Sequence, residues 1–192
     1  MLDIRPATDE VGRIVAGVTD DQLAATTPCS GLTVADLLDH VGGLSLAFAM
    51  AARKDPAVAD VNGTFDGSRL ADDWRDSIPA ALDELATAWA DPSAWDGMTA
   101  AGGVEMPGEV GGLVALDEVV VHGWDLAVAS GQPFEIDAAL LAPLHEFVAG
   151  FAEQAAGVEG LFGPQVVVGV DAPLLDRILG CTGRDPAWQR AM

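Results

Sequence analysis

Apolar residues recur every three or four positions along most of this chain. That is the period of helices laying one face on a core. Val11, Ile14, Val15 and Val18 mark a first helix over about Thr8–Ala25. Thr27-Pro28-Cys29-Ser30-Gly31 interrupts the pattern. Thr33 then reads as an N-cap, with Asp36 in the place of a capping-box acid, opening a helix that runs to about Arg53. Its stripe is Leu37, Val41, Leu44 and Phe48, and His40 lies on the flank of that stripe, about 60° from Leu37. Asp55–Ser68 is rich in turn residues and reads as a loop. Leu70, Trp74, Ile78, Leu82, Leu85 and Trp89 predict a third helix over about Arg69–Ala90. Asp91–Gly112, punctuated by Pro and Gly, is a long excursion with short extended pieces. A fourth helix over about Gly112–Ser130 stops at Gly131, and a fifth covers Asp137–Ala156. The β-branched run Gln165–Val170 predicts a short strand, Pro173–Leu179 a short helix, and Gly183–Trp188 a tail. Together these elements form a helical bundle.

The fourth helix departs from ordinary amphipathicity. Leu116, Val119, Val120, Val121, Leu126, Ala127 and Val128 cover most of its directions. Glu118, His122 and Asp125 share one arc of about 60°. A helix apolar on its other sides is buried, and buried charges need a counter-charge or a metal. Glu118 and His122, four apart, stack on one face and can share an ion; His40, from another helix, could complete a set of three. The same arc also reads as a solvated stripe, and the spacing alone leaves both readings open. Two imidazoles and a carboxylate would leave a coordination position free, the pattern of catalytic zinc, and the set also suits nickel or iron. Such a centre lowers the pKa of a bound water and favours thiolate over thiol. Asp125, one turn on, could orient a ligand or simply pair with an arginine. His145, the remaining histidine, reads as a surface or rim residue.

Composition removes other classes. Nine Lys plus Arg stand against 30 Asp plus Glu, a net charge of −21, which repels nucleic acid and anionic membranes. The chain starts without a secretory signal pattern, and no uninterrupted apolar stretch approaches about 20 residues. A soluble, cytoplasmic protein is expected. Cys29 and Cys181 make no zinc or disulfide pattern. Cys29, shortly before the second helix, could feel its N-terminal field, but reads first as a small buried residue.

Three stretches carry a resemblance. They are Thr27-Pro-Cys-Ser-Gly-Leu-Thr-Val-Ala-Asp-Leu-Leu-Asp-His40, Glu118-Val-Val-Val-His122-Gly-Trp-Asp-Leu-Ala and Ser130-Gly-Gln-Pro. The chain resembles the actinobacterial metal-binding proteins of the DinB-like superfamily, similar to the N-terminal domain of mycothiol-dependent maleylpyruvate isomerase. The terminal Gly183-Arg184-Asp185-Pro186 looks like the ending of that group. The resemblance implies an all-α fold, a DinB-like four-helix bundle with additional short helices and a short strand. It implies one domain over residues 1–192, with a C-terminal tail. It further implies His40, Glu118 and His122 as ligands of a divalent metal, zinc first, with mycothiol as the thiol partner. By the likeness of its tail, Arg184 is expected at the pocket mouth as a substrate-binding residue. Leu32 stands where the family commonly has an aromatic residue, and the length leaves no room for the isomerase's separate C-terminal domain. The function expected is a metal- and thiol-dependent transferase or isomerase acting on a small electrophile, with a non-catalytic metal or small-ligand binding module as the alternative. The substrate and the oligomeric state are left open, a homodimer included.

Overall fold

The computed structural model describes residues 1–61, 63–155 and 162–190. Four helices, α1 (Arg5–Gly17), α2 (Val34–Ala52), α3 (Trp74–Trp89) and α5 (Gly108–Ser130), surround one apolar core. Neighbours run α1–α3–α2–α5 and back to α1. Between α3 and α5 lie a single helical turn, α4 (Pro92–Trp95), and a hairpin of β1 (Met98–Ala101) and β2 (Val104–Pro107). The strands pair antiparallel from Met98↔Pro107 to Ala101↔Val104. Gly102 and Gly103, both at positive φ, make the two-residue turn that a twisted hairpin prefers. Beyond α5, α6 (Ala138–Ala155) and α7 (Leu174–Cys181) pack on each other, and α6 reaches α5. This is the all-α, DinB-like fold with a short piece of sheet that the helical periodicity and the resemblance led us to expect.

Local chemistry explains most boundaries. Thr33 and Asp36 form the expected capping box: the Thr33 amide donates to Asp36 Oδ2 at 2.8 Å, and the Asp36 amide to Thr33 Oγ1 at 3.3 Å. Gly131 closes α5 at φ 72°, the left-handed stop expected from its position. Other boundaries move. α1 begins earlier, with Pro6 in its first turn, and ends at Gly17, because Asp20–Gln22 forms a separate 3-10 turn capped by Thr19. α3 begins at Trp74, after the 3-10 turn Gly67–Arg69. The expected fifth helix is seen over Ala138–Ala155; Ala156 lies outside the described residues. Gln165–Val170 is no strand: it runs irregularly beside the end of α7, tied by Val166 N–H to Gly180 O at 2.9 Å, with Val167 fully exposed. Strand pairing occurs instead in the glycine-rich excursion.

α5 is the central element. Seventeen of its 23 residues are buried, on every side. It starts four residues earlier than its glycines suggest, because Gly108 and Gly112 are points of close approach. A Cβ at Gly112 would lie 2.5 Å from the Trp95 ring, and one at Gly108 2.5 Å from Ala94 O. α2 is the one described helix long and apolar enough to cross a membrane, but half of it is buried and it packs on α3 and α5.

Candidate metal centre

α2 and α5 pack side by side and bring His40 next to Glu118 and His122. The ligand-capable atoms of the three all lie within 4.8 Å of one another. Glu118 Oε2 stands 3.3 Å from His122 Nε2 and 3.5 Å from His40 Nε2. The arc of α5 is therefore largely buried: His122 is 7% exposed and Asp125 not at all, while Glu118 is half-buried.

Each imidazole is oriented from its far side. His122 Nδ1 meets Asp125 Oδ2 at 3.1 Å, and His40 Nδ1 meets Thr64 O at 3.3 Å. Both acceptors call for an N–H at Nδ1, so both Nε2 atoms turn towards Glu118. Thr64 is placed by acids of α2. Its hydroxyl donates to Asp39 Oδ2 at 2.8 Å, the Asp66 amide to the same oxygen at 3.2 Å, and the Gly67 amide to Asp36 Oδ1 at 2.7 Å. Phe65 lies flat on His40, ring centres 3.7 Å apart, and edge-on to His122 at 5.9 Å. Asp36, Asp39 and His40 thus act together: two acids hold the loop whose carbonyl orients the histidine.

The electrostatics are those of a site built for positive charge. Burial alone would lower the pKa of His122; its contacts with Asp125 and Glu118 outweigh that and raise it to about 9. Burial likewise opposes ionisation of Glu118, but the two imidazoles hold its carboxylate well below the usual range. Asp117, buried beside them, is pushed up to about 7 by desolvation first and by Glu118 second. Four buried atoms here have no hydrogen-bond partner: Glu118 Oε2, Asp117 Oδ1, Asp125 Oδ1 and Arg184 Nε.

Arg184 does arrive at the site. Its Nη2 donates to Asp125 Oδ2 at 3.2 Å and lies 4.0 Å from Cys29 Sγ. Its side chain is 11% exposed and hydrogen-bonded to Asp125 and to the Thr182 carbonyl. Cys29 is half-buried, and burial pushes its thiol up despite Arg184, contrary to the lowering a helix N-terminus would give. His145 sits half-buried near Arg177, away from the cluster, as a rim residue. Thr64, Phe65 and Asp117 were not legible as site residues: the first two lie in a segment that reads as plain loop, and Asp117 is about 100° off the polar arc.

The model of the mycothiol maleylpyruvate isomerase N-terminal domain family matches residues 4–127. The chain belongs to this family. Two uncharacterised proteins of Mycobacterium tuberculosis, from strains CDC 1551 / Oshkosh and ATCC 25618 / H37Rv, are each 30% identical over 186 residues, spanning 96% of this chain and 91% of theirs. The crystal structure of the mycothiol-dependent maleylpyruvate isomerase superposes with a TM-score of 0.59 at 20% identity, over 80% of this chain and 70% of that one. A histidine-to-alanine mutant of the isomerase gives 0.58 at 19%. At that identity the likeness is one of fold. Within the mycothiol maleylpyruvate isomerase N-terminal domain family, all three candidate ligands of this chain fall inside the matched segment.

Proposed function

We propose that this protein binds one divalent metal, zinc first and nickel or iron as alternatives, through His40, Glu118 and His122. We further propose that it uses the site as a mycothiol-dependent transferase or isomerase of a small electrophile. One observation carries the reading. Glu118 Oε2 is buried with no hydrogen-bond partner, between two Nε2 atoms whose far sides are fixed by Asp125 and Thr64. Three donors turned on one point, two neutral and one anionic, fit a divalent cation that keeps an open position. Bound there, the cation would supply Lewis acidity that favours a thiol's deprotonated form.

The chain's own residues do the rest. Asp125 holds the His122 ring, and the Thr64 carbonyl holds that of His40. Phe65, 40% exposed against both rings, walls one side of the centre and offers an apolar face to an incoming molecule. A cation, one carboxylate and the Asp125–Arg184 pair leave one positive charge, which a thiolate balances; Asp117, pushed up to about 7 by desolvation, offsets part of that charge when it ionises. That local surplus admits an anionic thiol to a molecule of net charge −21. Residues 1–192 are read as one domain, because Arg184, beyond α7, hydrogen-bonds Asp125 on α5; a cytoplasmic setting is part of the same proposal.

Elemental analysis of protein purified without a histidine tag should give about one divalent ion per chain. His122→Ala and His40→Ala should each lose it; full retention by both ends the assignment. Cobalt-substituted protein titrated with mycothiol should develop a thiolate-to-cobalt charge-transfer band. A metal-loaded protein that shows no spectral change at millimolar thiol is instead a binding module.

A further inference from the structure

Asp125 is fully buried, and its Oδ2 serves two partners: His122 Nδ1 at 3.1 Å and Arg184 Nη2 at 3.2 Å. Its Oδ1 has none. A buried carboxylate is costly without a counter-charge, and Arg184 is the one basic side chain hydrogen-bonded to it among the described residues apart from His122 itself. The guanidinium is held in its turn by backbone. Arg184 Nη1 donates to Thr182 O at 2.9 Å, and the Arg184 amide to Leu179 O at 2.8 Å. Gly183 stands at φ 83°, against the backbone of Gly163, where a Cβ would come within 2.7 Å. The direction of the arginine is therefore set by backbone at the end of α7.

We propose that Arg184 is a positioning residue of the metal centre: through Asp125 it fixes the ring of His122. The inference rests on His40, Glu118 and His122 being the ligand set. Arg184 fixes the carboxylate, the carboxylate holds the proton on Nδ1, and Nε2 is left to face Glu118. An outer partner of a ligating histidine contributes to affinity through just this orientation. A lysine would restore the charge but not the planar fork that reaches Thr182 O and Asp125 together.

Zinc affinity, measured by chelator competition on the full chain, tests this with a double-mutant cycle. Asp125→Asn should weaken zinc binding roughly 10- to 100-fold, and Arg184→Gln should weaken it about tenfold. The double variant should bind no more weakly than Asp125→Asn alone, since the arginine acts through the carboxylate. Arg184→Lys should fall between wild type and Arg184→Gln. Wild-type affinity in Arg184→Gln, or losses that simply add, would overturn the proposal. A second reading needs no metal. At alkaline pH, where the ring is neutral, the nitrogen shifts of His122 should report Nδ1–H in the wild type and a tautomer mixture in Arg184→Gln. An arginine that merely docks the tail would lower the melting temperature and leave both zinc affinity and ring shifts alone. Should the wild type take up none of zinc, nickel or iron, the ligand assignment fails, and unchanged ring shifts in Arg184→Gln would separately dispose of the positioning role.

Discussion

His122 carries the strongest pH signature of the site. Its pKa in the metal-free fold, about 9, stands above the value near 6.5 expected in the unfolded chain. The protonated ring therefore stabilises the metal-free fold fully below about pH 6.5, and this contribution is lost as the pH climbs through about 9. A cation taken up at neutral pH must expel that proton. Uptake at pH 7 should release about one proton per ion, and apparent affinity should rise about tenfold per pH unit until the ring titrates. An indicator dye in weak buffer measures the release; none at pH 7 would show the ring already neutral. The same residue shows what a sequence can reveal. Glu118, His122 and Asp125 were legible as one face by helical spacing, and His40 as their companion through the family resemblance of its stretch. The Thr64 carbonyl was not, since a backbone group carries no residue-type signal. Arg184 was legible as a participant by the likeness of its tail, but its partner depended on a contact with Asp125 across the fold.

Among the elements, α5 gives the clearest lesson. Gly108, Gly111 and Gly112 look like helix breakers, yet all three lie within the helix. They let it approach Ala94, Trp89, Thr99 and Trp95 closely. Periodicity reads which face is apolar, not how near a neighbour will come, so the first turn of α5 stayed hidden. Trp95 cannot yield, because its Nε1 donates to Trp89 O at 2.8 Å and the ring is buried. Gly112→Ala would gain up to about 1 kcal/mol of helix propensity. Overpacking against the pinned ring should outweigh it, for a net loss of about 1–2 kcal/mol in urea unfolding. A stabilised variant would mean that the indole moves freely. The Gln165–Val170 run failed in the opposite way: its β-branched composition fits a strand, but the hairpin offering sheet edges lies elsewhere in the fold.

At the scale of the whole molecule, the core and the metal centre are separable. Among the described residues, 38 buried apolar side chains form one cluster, and the three candidate ligands sit on two of its helices, α2 and α5. Such a core should hold without the ion. Chelation should leave helical circular dichroism nearly unchanged and lower the melting temperature, the stabilisation by free metal at a hundredfold excess over Kd being about 2.7 kcal/mol. Collapse of the helical signal on chelation would make the ion a structural one. The chain order of the site has a further consequence, for synthesis. All three candidate ligands lie in the segment matched by the family, which ends at residue 127, whereas the arginine that touches Asp125 follows α7. A chain still leaving the ribosome can expose both histidines and the glutamate long before residue 184 emerges. On the positioning role proposed for Arg184, such a nascent chain holds its ion weakly and can still exchange a wrong one. On that role the site would tighten as the last helix docks, and the finished protein would hold its ion about tenfold more firmly than a chain whose Arg184 has yet to reach Asp125.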